Sequence, residues 1–512
     1  MNRLRCVSSL AGLLLLFAMG VGASAATVFE AKQFGAVGDG RTKDTAALQR
    51  AIDAAAKSGG TVRLAAGTFL SGSLVLKSGV TLQIDKGATL LGSTEHADYR
   101  KNRWMALVEA KGQRDIAIVG EGVIDGQGAA LAADVLRLVQ EKKIIDPLAS
   151  NRPAEPNRPQ LLELMDCQGV TVRGITLKNS SCWVQTYLNC EDVTLDHVTV
   201  RSTAYWNNDG LDLVDCRRAR VTHCDIDCAD DGICLKSGEG HACEDIVVED
   251  CAVRSSASAF KLGTSSRGGF KHIRAHGLRI HDTFRSAIAL ESVDGAAMED
   301  VEVSDVQAKN TGAAIFIRLG NRHGVVGSVR DVRISDVTVE IPATAPDAGY
   351  PLAGPAVRAA HNLFPSSITG LPGHRVAGVS LKNITITTAG GGRREVAEVP
   401  LENLAAVPEQ EDRYPEFSMF GELPAWGFYV RHAEGITFDN VAIRATAKDF
   451  RAAMVFDDVG NLQLNSVIMA PAGDNPMIVL RGAERWKVNG TIPPAGTKEF
   501  IRNLDLVGGK NP

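Results

Sequence analysis

The 512-residue sequence has few aromatic residues, no excess of positive charge and, after its first 26 residues, no long apolar run. Phe, Trp and Tyr make up 5% of the chain, and 55 basic against 60 acidic residues give a formal charge of -5. A nucleic-acid-binding protein needs a basic surface, so this charge balance excludes that class of partner. A membrane span needs about 18 consecutive apolar residues, so none is expected in the later sequence.

The N-terminal segment has the pattern of a signal peptide. Arg3 and Arg5 precede an apolar run from Leu10 to Val21, and small residues follow where signal peptidase cuts. Residues 1–26 are therefore expected to be removed on export, which predicts a secreted or periplasmic protein. No linker composition interrupts the rest, so residues 27–512 are expected to form a single domain, most simply a monomer.

One short pattern recurs along the chain: a small or apolar residue, two polar residues, then alternating apolar residues, as in residues 190–195, which read CEDVTL. The units start at Lys77, Gln113, Cys167, Cys190, Cys216, Cys243, Phe270, Met298, Val329, Val376, Ala433 and Val459. From the third to the eighth of these, the starts lie 23, 26, 27, 27 and 28 residues apart. Period-2 alternation at a spacing in the twenties predicts a strand solenoid, and the sequence lacks the Leu and Asn ladder of leucine-rich repeats. The expected fold is all-β, a single-stranded parallel β-helix.

Cysteine is confined to one part of the mature chain. Nine of the ten cysteines lie between Cys167 and Cys251, and several occupy the first position of a repeat unit. Stacking would align them in one inward column. They are interpreted as small apolar core residues, with a disulfide within the column as the alternative.

Both ends and three insertions depart from the repeat. Residues 42–55 have the pattern of an amphipathic helix with N-terminal capping, and two glycines follow at 59 and 60. Such a helix is predicted to cap the open end of the solenoid. Longer gaps between units predict loop insertions near 126–160, 340–374 and 390–430, of which the last is rich in aromatic residues.

The densest cluster of polar residues lies in two neighbouring repeats. Residues 207–212 read NNDGLD, and Asp230 and Asp231 follow about one coil later. Stacking is expected to bring these carboxylates, with Asp209 and Asp212, onto adjacent rungs, as glycoside hydrolysis requires for a proton donor and a base. Two alternatives remain open on composition alone: Asp, Asn and Gly as ordinary turn residues, and a Ca²⁺ site of the kind a polysaccharide lyase uses.

At these residues the sequence resembles glycoside hydrolase family 28, the polygalacturonases and rhamnogalacturonan hydrolases. Residues 207–212 match its Asn-Thr-Asp-Gly-x-Asp motif, and residues 230–238, DDGICLKSG, match its Asp-Asp-x-x-x-x-Lys-Ser-Gly motif. Residues 34–40, 79–82 and 126–128 also look like the family's N-terminal half. The resemblance implies a right-handed β-helix of the pectin-lyase type, no metal cofactor, and inversion at the anomeric carbon.

Carried over by position, the resemblance makes Asp230 the general acid, while Asp209 and Asp231 hold and deprotonate the attacking water. Asn207 and Asp212, in the first motif, are expected to contact substrate. A separation of about 6.5 to 9.5 Å between the acid and the water-binding side is expected for an inverting enzyme.

Two family motifs have changed. Ser258 stands where relatives often carry a histidine, and Ala289 and Glu291 stand where an Arg-Ile-Lys triplet holds a galacturonate carboxylate. With both cations missing, polygalacturonate is expected to be a poor substrate unless Lys261, Arg285 or Arg318 supplies the charge.

Four further residues are candidates for substrate contact, each with a structural alternative. Trp206 could stack on a sugar ring or pack at a coil corner, and Lys261 could contact substrate or point into solvent. Arg318 could clamp a substrate oxygen, and Glu291 would repel a carboxylate in the groove.

The sequence therefore predicts an exported glycoside hydrolase that cleaves pectin-type polysaccharide or oligosaccharide without a cofactor. Loops at 340–374 and 390–430 would wall off one end of the groove and favour attack at chain termini. The alternatives are a calcium-dependent lyase on the same scaffold and a non-catalytic carbohydrate-binding β-helix.

Overall fold

The computed structural model describes residues 27–148, 152–238, 240–346, 364–392, 401–471 and 475–506. The predicted signal peptide lies outside the described residues, as do residues 347–363 and 393–400 of the two later predicted insertions. No helix of the described residues is long and apolar enough to cross a membrane.

The secondary structure consists of 35 described strands and two α-helices. Helices α1 and α2 span Thr45–Ala55 and Gly128–Gln140. Strands β1 to β10 span Val28–Glu30, Asp39–Lys43, Gly60–Leu64, Gly67–Ser71, Leu74–Val75, Val80–Ile84, Ala88–Gly92, Ala106–Lys111, Arg114–Gly120 and Val123–Asp125. Short 3₁₀ helices cover Ala31–Phe34, His96–Asp98, Glu155–Asn157 and Leu401–Ala406.

The central coils are formed by short strands. Strands β11 to β23 span Gln160–Met165, Gln168–Arg173, Thr176–Lys178, Gln185–Leu188, Glu191–Asp196, Thr199–Ser202, Leu211–Val214, Arg217–Thr222, Asp225–Cys228, Ile233–Ser237, Cys243–Glu249, Ala252–Ser255 and Phe260–Ser266.

The later coils contain longer strands that bend around the solenoid. Strands β24 to β35 span Phe270–Ser292, Ala297–Leu319, Ser328–Glu340, Ser366–Thr369, Val376–Gly390, Ala425–Ala447, Ala452–Gly460, Gln463–Asn465, Ile468–Ala470, Ile478–Arg481, Lys487–Asn489 and Ile501–Asn503.

The strands stack in parallel on three faces, which confirms the predicted right-handed parallel β-helix. One face runs through β12, β15, β18 and β21, and a second runs through β13, β16, β19 and β22. The third face runs through β8, β11, β14, β17, β20 and β23. Both carboxylate motifs lie at the edge of this third face.

The register follows the repeat found in the sequence. Val170 pairs with Val193, Val193 with Ala219, and Ala219 with Ile246, one residue from each successive unit. These residues are buried, and their neighbours along each strand alternate between buried and partly exposed. The alternation therefore marks one inward side chain at every second position, as the pleat of a strand requires.

The cysteine column is confirmed as part of the core. All nine cysteines in the described residues are buried and unpaired, and Cys243 pairs in register with Phe270, which pairs with Met298. The disulfide alternative is not found among these residues. Free cysteine packs here as a small apolar side chain.

A left-handed residue recurs at the third position of several repeat units. Asp192, Asp245 and Asp300 have φ values of 55°, 57° and 53°, and the equivalent Gly169 has a φ of 70°. Asp, Asn and Gly tolerate this region better than other residues, because a short polar side chain bonds locally and glycine has no Cβ. The polar positions of the repeat thus encode the turn at which the strands of one face begin.

Helix α1 forms where the amphipathic pattern predicts it, and its apolar side contacts β1, β3, β5 and β6. Its expected cap is different. The Asp44 carboxylate accepts hydrogen bonds from the backbone N–H groups of Val37 and Gly38, at 2.7 and 3.0 Å, rather than from the first turn of the helix. Closure of the open end of the solenoid by α1 stays a prediction.

Two of the predicted insertions contain regular structure, and the second of them packs on the third face. Helix α2 lies within the insertion near 126–160 and is buried along one side. Residues 401–424, named here the covering segment, pack an apolar cluster onto Ala289 and Phe316 of the third face. The members of this cluster from the segment are Leu401, Leu404, Val407, Phe417, Phe420 and Leu423.

Candidate active site

Three consecutive rungs of the third face position the polar cluster. Asp212 on β17 pairs in register with Cys234 on β20, which pairs with Lys261 on β23. Asp209 lies two residues before β17, and Asp231 two residues before β20. Equivalent turns on neighbouring coils therefore bring residues about one repeat apart to a common site.

Asp209, Asp230 and Asp231 form a compact carboxylate group. One oxygen of each lies within 4.8 Å of the corresponding oxygens of the other two. Asp209 and Asp231 are buried, whereas Asp230 is partly exposed. These oxygen contacts are shorter than the separation of about 6.5 to 9.5 Å expected between the two sides of an inverting site, because the turns of adjacent rungs stack directly on one another.

The Lys236 ammonium contacts two aspartates of the first motif. Its ammonium lies 2.9 Å from Asp209 Oδ2 and also bonds Asp212 Oδ1, which has no exposed surface. The ammonium also lies 4.1 Å from the centre of the Trp183 ring. Asp212 was predicted to contact substrate, but the structure places it under the site, where it positions Lys236.

The Lys261 ammonium makes an equivalent contact with an aspartate on the next rung. Its ammonium lies 2.9 Å from Asp231 Oδ2, and Asp231 Oδ1 accepts a hydrogen bond from the backbone N–H of Ser258 at 3.1 Å. Tyr414 of the covering segment lies above it, with Oη 3.3 Å from the ammonium. Lys261 is thus neither solvated nor open to substrate, which differs from both expectations for it.

Asn207 orients the partly exposed carboxylate. Its amide nitrogen lies 3.4 Å from Asp230 Oδ2, while its oxygen accepts bonds from Arg152 and Arg158. The Arg152 guanidinium stacks on the half-buried Trp206 ring at 5.2 Å. Asn207 therefore lies beside Asp230, and Trp206 contacts the arginine that bonds Asn207. Substrate contact stays a prediction for both.

The pKa values of the two adjacent aspartates are pushed apart. Burial and the neighbouring Asp231 carboxylate raise the pKa of Asp230. Burial would also raise the pKa of Asp231, but the cations Lys261, Lys236 and Arg285 outweigh it and lower that pKa. Asp230 is thus favoured as the proton donor and Asp231 as the ionised base, the division that acid–base hydrolysis requires.

The two aspartates of the first motif, Asp209 and Asp212, also have raised pKa values. Burial raises the pKa of Asp212 to about 6 against the opposing charge of Lys236. Burial, followed by repulsion from Asp212, Asp230 and Asp231, raises the pKa of Asp209 although Lys236 opposes this. These four carboxylates and Glu291 share three cations, Lys236, Lys261 and Arg285, a balance that favours protonated carboxyl groups in the cluster.

The changed family motif lies under the covering segment. Ala289 pairs with Lys261 and is buried in the apolar cluster, and Glu291 is 2% exposed. The Glu291 carboxylate lies 3.6 Å from the Lys261 ammonium and accepts a bond from Thr264 at 3.2 Å. The expectation that Glu291 faces substrate is therefore wrong, because the covering segment closes this part of the face.

Arg318 was predicted to clamp a substrate oxygen, and the structure does not bring it to the carboxylates. It is 1% exposed, and its guanidinium donates to the backbone carbonyls of Gly370 and Glu409 at 3.2 and 2.6 Å. It also stacks on Phe420 at 5.2 Å. Arg318 thus anchors the covering segment to the solenoid.

Two residues of the site, Lys236 and Tyr414, had no role predicted from the sequence, and Arg285 was predicted only as a possible substitute for the missing cations. Lys236 lies within the second family motif, so the motif itself was an available signal. Arg285 lies close enough to lower the pKa of Asp230 and Asp231, and its guanidinium lies 3.7 Å from Glu416. Tyr414 comes from the covering segment, and no local pattern distinguishes it from the other aromatic residues there.

The carboxylate cluster could attract positive charge from a metal ion or from lysine side chains. The carboxylate grouping is compact enough for a divalent cation. However, Lys236 and Lys261 already supply positive charge at 2.9 Å to Asp209 and Asp231. The lysine ammonium groups thus supply positive charge at the carboxylate oxygens, where a divalent cation would otherwise supply it.

The parallel β-helix carries a largely buried carboxylate cluster at the edge of its third face. Within it, residues 57–265, which include both motifs, match the model of Glycosyl hydrolases family 28. The family resemblance is confirmed over this region, and the enzyme is a glycoside hydrolase.

Two relatives illustrate the similarity to polygalacturonases. The chain is 25% identical to a probable polygalacturonase of Vitis vinifera over 70% of its own length and 74% of that protein. It is 30% identical to an exo-poly-alpha-D-galacturonosidase of Dickeya chrysanthemi, over 42% of each chain. It therefore spans less than half of this second relative.

The fold resembles that of solved exopolygalacturonases. The Thermotoga maritima enzyme is 22% identical with a TM-score of 0.56, over 71% of this chain and 89% of that one. The family 28 enzyme of Yersinia enterocolitica is 18% identical with a TM-score of 0.54, over 92% and 79%. At these identities the likeness shows the fold alone.

Proposed function

We propose that the protein is an exported hydrolase that cleaves pectin-type polysaccharide or oligosaccharide at chain ends, with inversion and with a subsite for a sugar other than galacturonate. The observation that carries this proposal is the acid–base pair of Asp230 and Asp231 on adjacent positions of one turn. Asp230 is partly exposed and has a raised pKa, and Asp231 is buried and has a lowered pKa.

In the proposed mechanism Asp230 donates its proton to the glycosidic oxygen. Asp209 and Asp231 hold a water molecule, and Asp231 accepts the proton as the water attacks the anomeric carbon. Lys261 and Lys236 lower the pKa of Asp231 and so favour its ionised form, and a general base must be ionised. The short separation of the carboxylates is more typical of retaining enzymes, so inversion rests here on the family resemblance and needs a direct test.

Attack at chain ends is proposed because one side of the third face is closed. Beyond Lys261 the next two positions of the stack, Ala289 and Phe316, are covered by residues 401–424. A chain that enters along the face from the N-terminal side would end at the carboxylates. The exo-acting Dickeya relative is consistent with this direction.

A substrate other than polygalacturonate is proposed because neither position of the family's Arg-Ile-Lys triplet offers a cation. Ala289 is apolar, and Glu291 pairs with Lys261 under the covering segment. A charge-assisted bond to a carboxylate contributes about 1.5 to 3 kcal/mol, so its loss costs roughly ten- to hundredfold in discrimination. A neutral or mixed pectic glycan is therefore expected to be preferred.

The deciding experiment is a product screen against polygalacturonate, rhamnogalacturonan and neutral pectic side chains. We expect higher kcat/KM on mixed or neutral glycans, with Asp230→Asn as the inactive control. High efficiency on polygalacturonate would instead assign the carboxylate-binding role to Arg285 and contradict the substrate part of the proposal. Arg285→Gln would then lower the affinity for that substrate.

The screen also separates hydrolysis from calcium-dependent elimination. Elimination would form unsaturated products that absorb ultraviolet light, and EDTA would abolish the activity until Ca²⁺ is restored. We expect neither result, because lysine ammonium groups occupy the positions beside Asp209 and Asp231.

A further inference from the structure

A group of two histidines and one aspartate lies at the turn between the first and second faces of the solenoid. Asp196 is the last residue of β15, and His197 follows it. His223 directly follows β18, which pairs in parallel with β15 on the first face. One ligand atom of each of the three residues lies within 4.8 Å of those of the other two. The group therefore spans two neighbouring coils.

The two histidines occupy the same turn position on successive coils. Both have a φ of 54°, and the coils on either side carry a left-handed glycine or aspartate there, at Gly174, Asp250 and Gly277. Because glycine and aspartate form the same turn, the backbone does not require histidine. Stacking of the coils brings the two imidazole rings together, with their centres 4.6 Å apart and their planes 25° from parallel.

Both imidazole rings direct Nδ1 at the same oxygen of Asp196. Nδ1 of His197 lies 2.8 Å from Asp196 Oδ1, and Nδ1 of His223 lies 3.0 Å from it. The Thr222 hydroxyl donates a hydrogen bond to this oxygen at 2.9 Å. A carboxylate oxygen has two lone pairs, so it cannot accept three good hydrogen bonds. At least one of the two ring nitrogens is therefore poorly satisfied by the protein.

A metal ion bound between the three atoms would remove this conflict. Each neutral ring, protonated at Nε2, presents the lone pair of Nδ1 to the ion, and Asp196 Oδ1 binds it with one lone pair while Thr222 keeps the other. Zinc bonds nitrogen and oxygen at about 2.0 to 2.2 Å with tetrahedral angles, which places its ligand atoms roughly 3.3 Å apart. The distances of 2.8 and 3.0 Å are slightly shorter, so a small rotation of the rings admits the ion.

The ligand atoms favour a late first-row transition metal over calcium or magnesium. Imidazole nitrogen suits zinc, nickel and copper, whereas calcium and magnesium prefer oxygen ligands. The side chains of His197 and His223 are 63% and 51% exposed, so water can complete the coordination. A second group of this kind, formed by Glu244, Asp245 and His272, offers only one imidazole and is the weaker candidate for such an ion.

We propose that Asp196, His197 and His223 form a binding site for Zn²⁺ or a chemically similar divalent ion, with Thr222 as the residue that positions the carboxylate. The bound ion links the coil of β15 to the coil of β18 and so stabilises the folded solenoid. The site lies at the turn between the first and second faces, whereas the catalytic carboxylates lie at the edge of the third. The proposal therefore goes beyond the proposed function and does not depend on it.

Metal titration of the protein without an affinity tag tests the site. The metal-stripped chain is titrated with Zn²⁺, Ca²⁺ and Mg²⁺ by isothermal calorimetry, and its melting temperature is measured with and without each ion. We expect saturable binding of Zn²⁺ that is roughly hundredfold or more tighter than binding of the other two ions, together with a higher melting temperature. Equal affinity for the three ions, or no saturable binding of Zn²⁺, would overturn the proposal.

Variants at the two histidines locate the ion. His197→Asn and His223→Asn introduce a residue that tolerates the left-handed turn, so the fold should be preserved. Each is expected to weaken Zn²⁺ binding by about tenfold or more and to remove the rise in melting temperature. His281→Asn is the matched control, because His281 is similarly exposed and its Nδ1 lies 2.9 Å from a single carboxylate. Unchanged Zn²⁺ affinity in both variants would contradict the proposal.

Two further variants separate the remaining interpretations. Thr222→Val keeps all three ligands but removes the hydroxyl, so it is expected to weaken Zn²⁺ binding by about tenfold, and unchanged affinity would contradict its positioning role. Loss of the tight site in His272→Asn alone would place the ion at the second group and overturn the assignment. His197→Asn should leave kcat/KM on any hydrolysed glycan unchanged, so failure of the metal site and failure of the proposed function are distinguishable.

Discussion

The ammonium of Lys261 and the carboxylate of Asp231 lie 2.9 Å apart in a place that is almost fully shielded from solvent. Tyr414, 153 residues further along the chain, closes the pair from above. Because the two charges are close and shielded from water, Lys261 lowers the pKa of the Asp231 carboxyl group. Since Asp231 is the proposed base, the pair also controls the pH range over which the enzyme can work.

Replacement of Lys261 by methionine should therefore shift the pH profile. Lys261 lowers the pKa of Asp231, so its loss raises that pKa and leaves the base protonated at acidic pH. The acidic limb of kcat/KM should move to higher pH. Lys271→Met, at an exposed lysine 3.8 Å from Glu244, is the control and should leave the profile unchanged.

If Lys261→Met does not fold, Lys261→Arg provides the measurement. It keeps the charge, so the acidic limb should stay near that of the wild type even if kcat falls. An acidic limb that moves as far in the arginine variant as in the methionine variant would show that charge is not the cause.

Asp230→Asn should lower kcat by a factor on the order of 10² to 10⁴, as expected for the loss of one positioned proton donor. The fold should be preserved, which circular dichroism and the melting temperature can check. Asp225→Asn, at an exposed carboxylate that bonds Arg201 on the second face, is the control. Near-normal turnover in folded Asp230→Asn would reject Asp230 as the acid.

The configuration of the first-formed sugar should be inverted. Proton NMR during the first minutes of hydrolysis distinguishes the two anomers before they equilibrate. One oxygen of each of the three carboxylates lies within 4.8 Å of the other two, which is closer than the separation typical of inverting enzymes. Retention would mean that Asp209 or Asp231 attacks the sugar directly.

Stability should fall as the pH rises, in part because of Glu163. Burial and the neighbouring Glu109 raise the pKa of Glu163 from 4.5 to about 7 in the folded state. The folded state thus binds this proton more tightly than the unfolded state, so the stabilisation is present below about pH 4.5 and is lost as the pH passes 7. The change is on the order of 3 kcal/mol for an unopposed shift of this size.

Urea unfolding at acidic and neutral pH measures this contribution. Glu163→Gln cannot ionise, so it should reduce the loss of stability between the two pH values. Glu299→Gln, at an exposed ion pair with Arg330, should retain the wild-type dependence. An identical pH dependence in wild type and Glu163→Gln would contradict the raised pKa.

Hydrolysis should release short products from chain ends. The covering segment packs on Ala289 and Phe316 beyond Lys261, so under the proposed attack at chain ends a polymer is not expected to pass through the site. Viscosity of a polymeric substrate should then fall slowly relative to the appearance of reducing ends. A rapid fall in viscosity at low conversion would show internal cleavage and an open groove.

The repeat in the sequence is enough to predict the solenoid and the position of its carboxylates. Each repeat unit alternates apolar and polar residues with the period of a strand, and a coil can bury that apolar side only by stacking on its neighbours. Local pattern is therefore enough to predict that Asp209 and Asp231, about one unit apart, lie on adjacent rungs. The inward cysteine column follows from the same register.

The surroundings of the carboxylates depend on contacts between distant parts of the chain. Lys261, Glu291 and Arg318 lie at outward positions of their strands, where the repeat predicts contact with substrate or solvent. They are buried because residues 401–424 fold back over that face. Their ionisation and accessibility depend on contacts between residues as far apart as Lys261 and Tyr414, and no local period encodes a contact of that range.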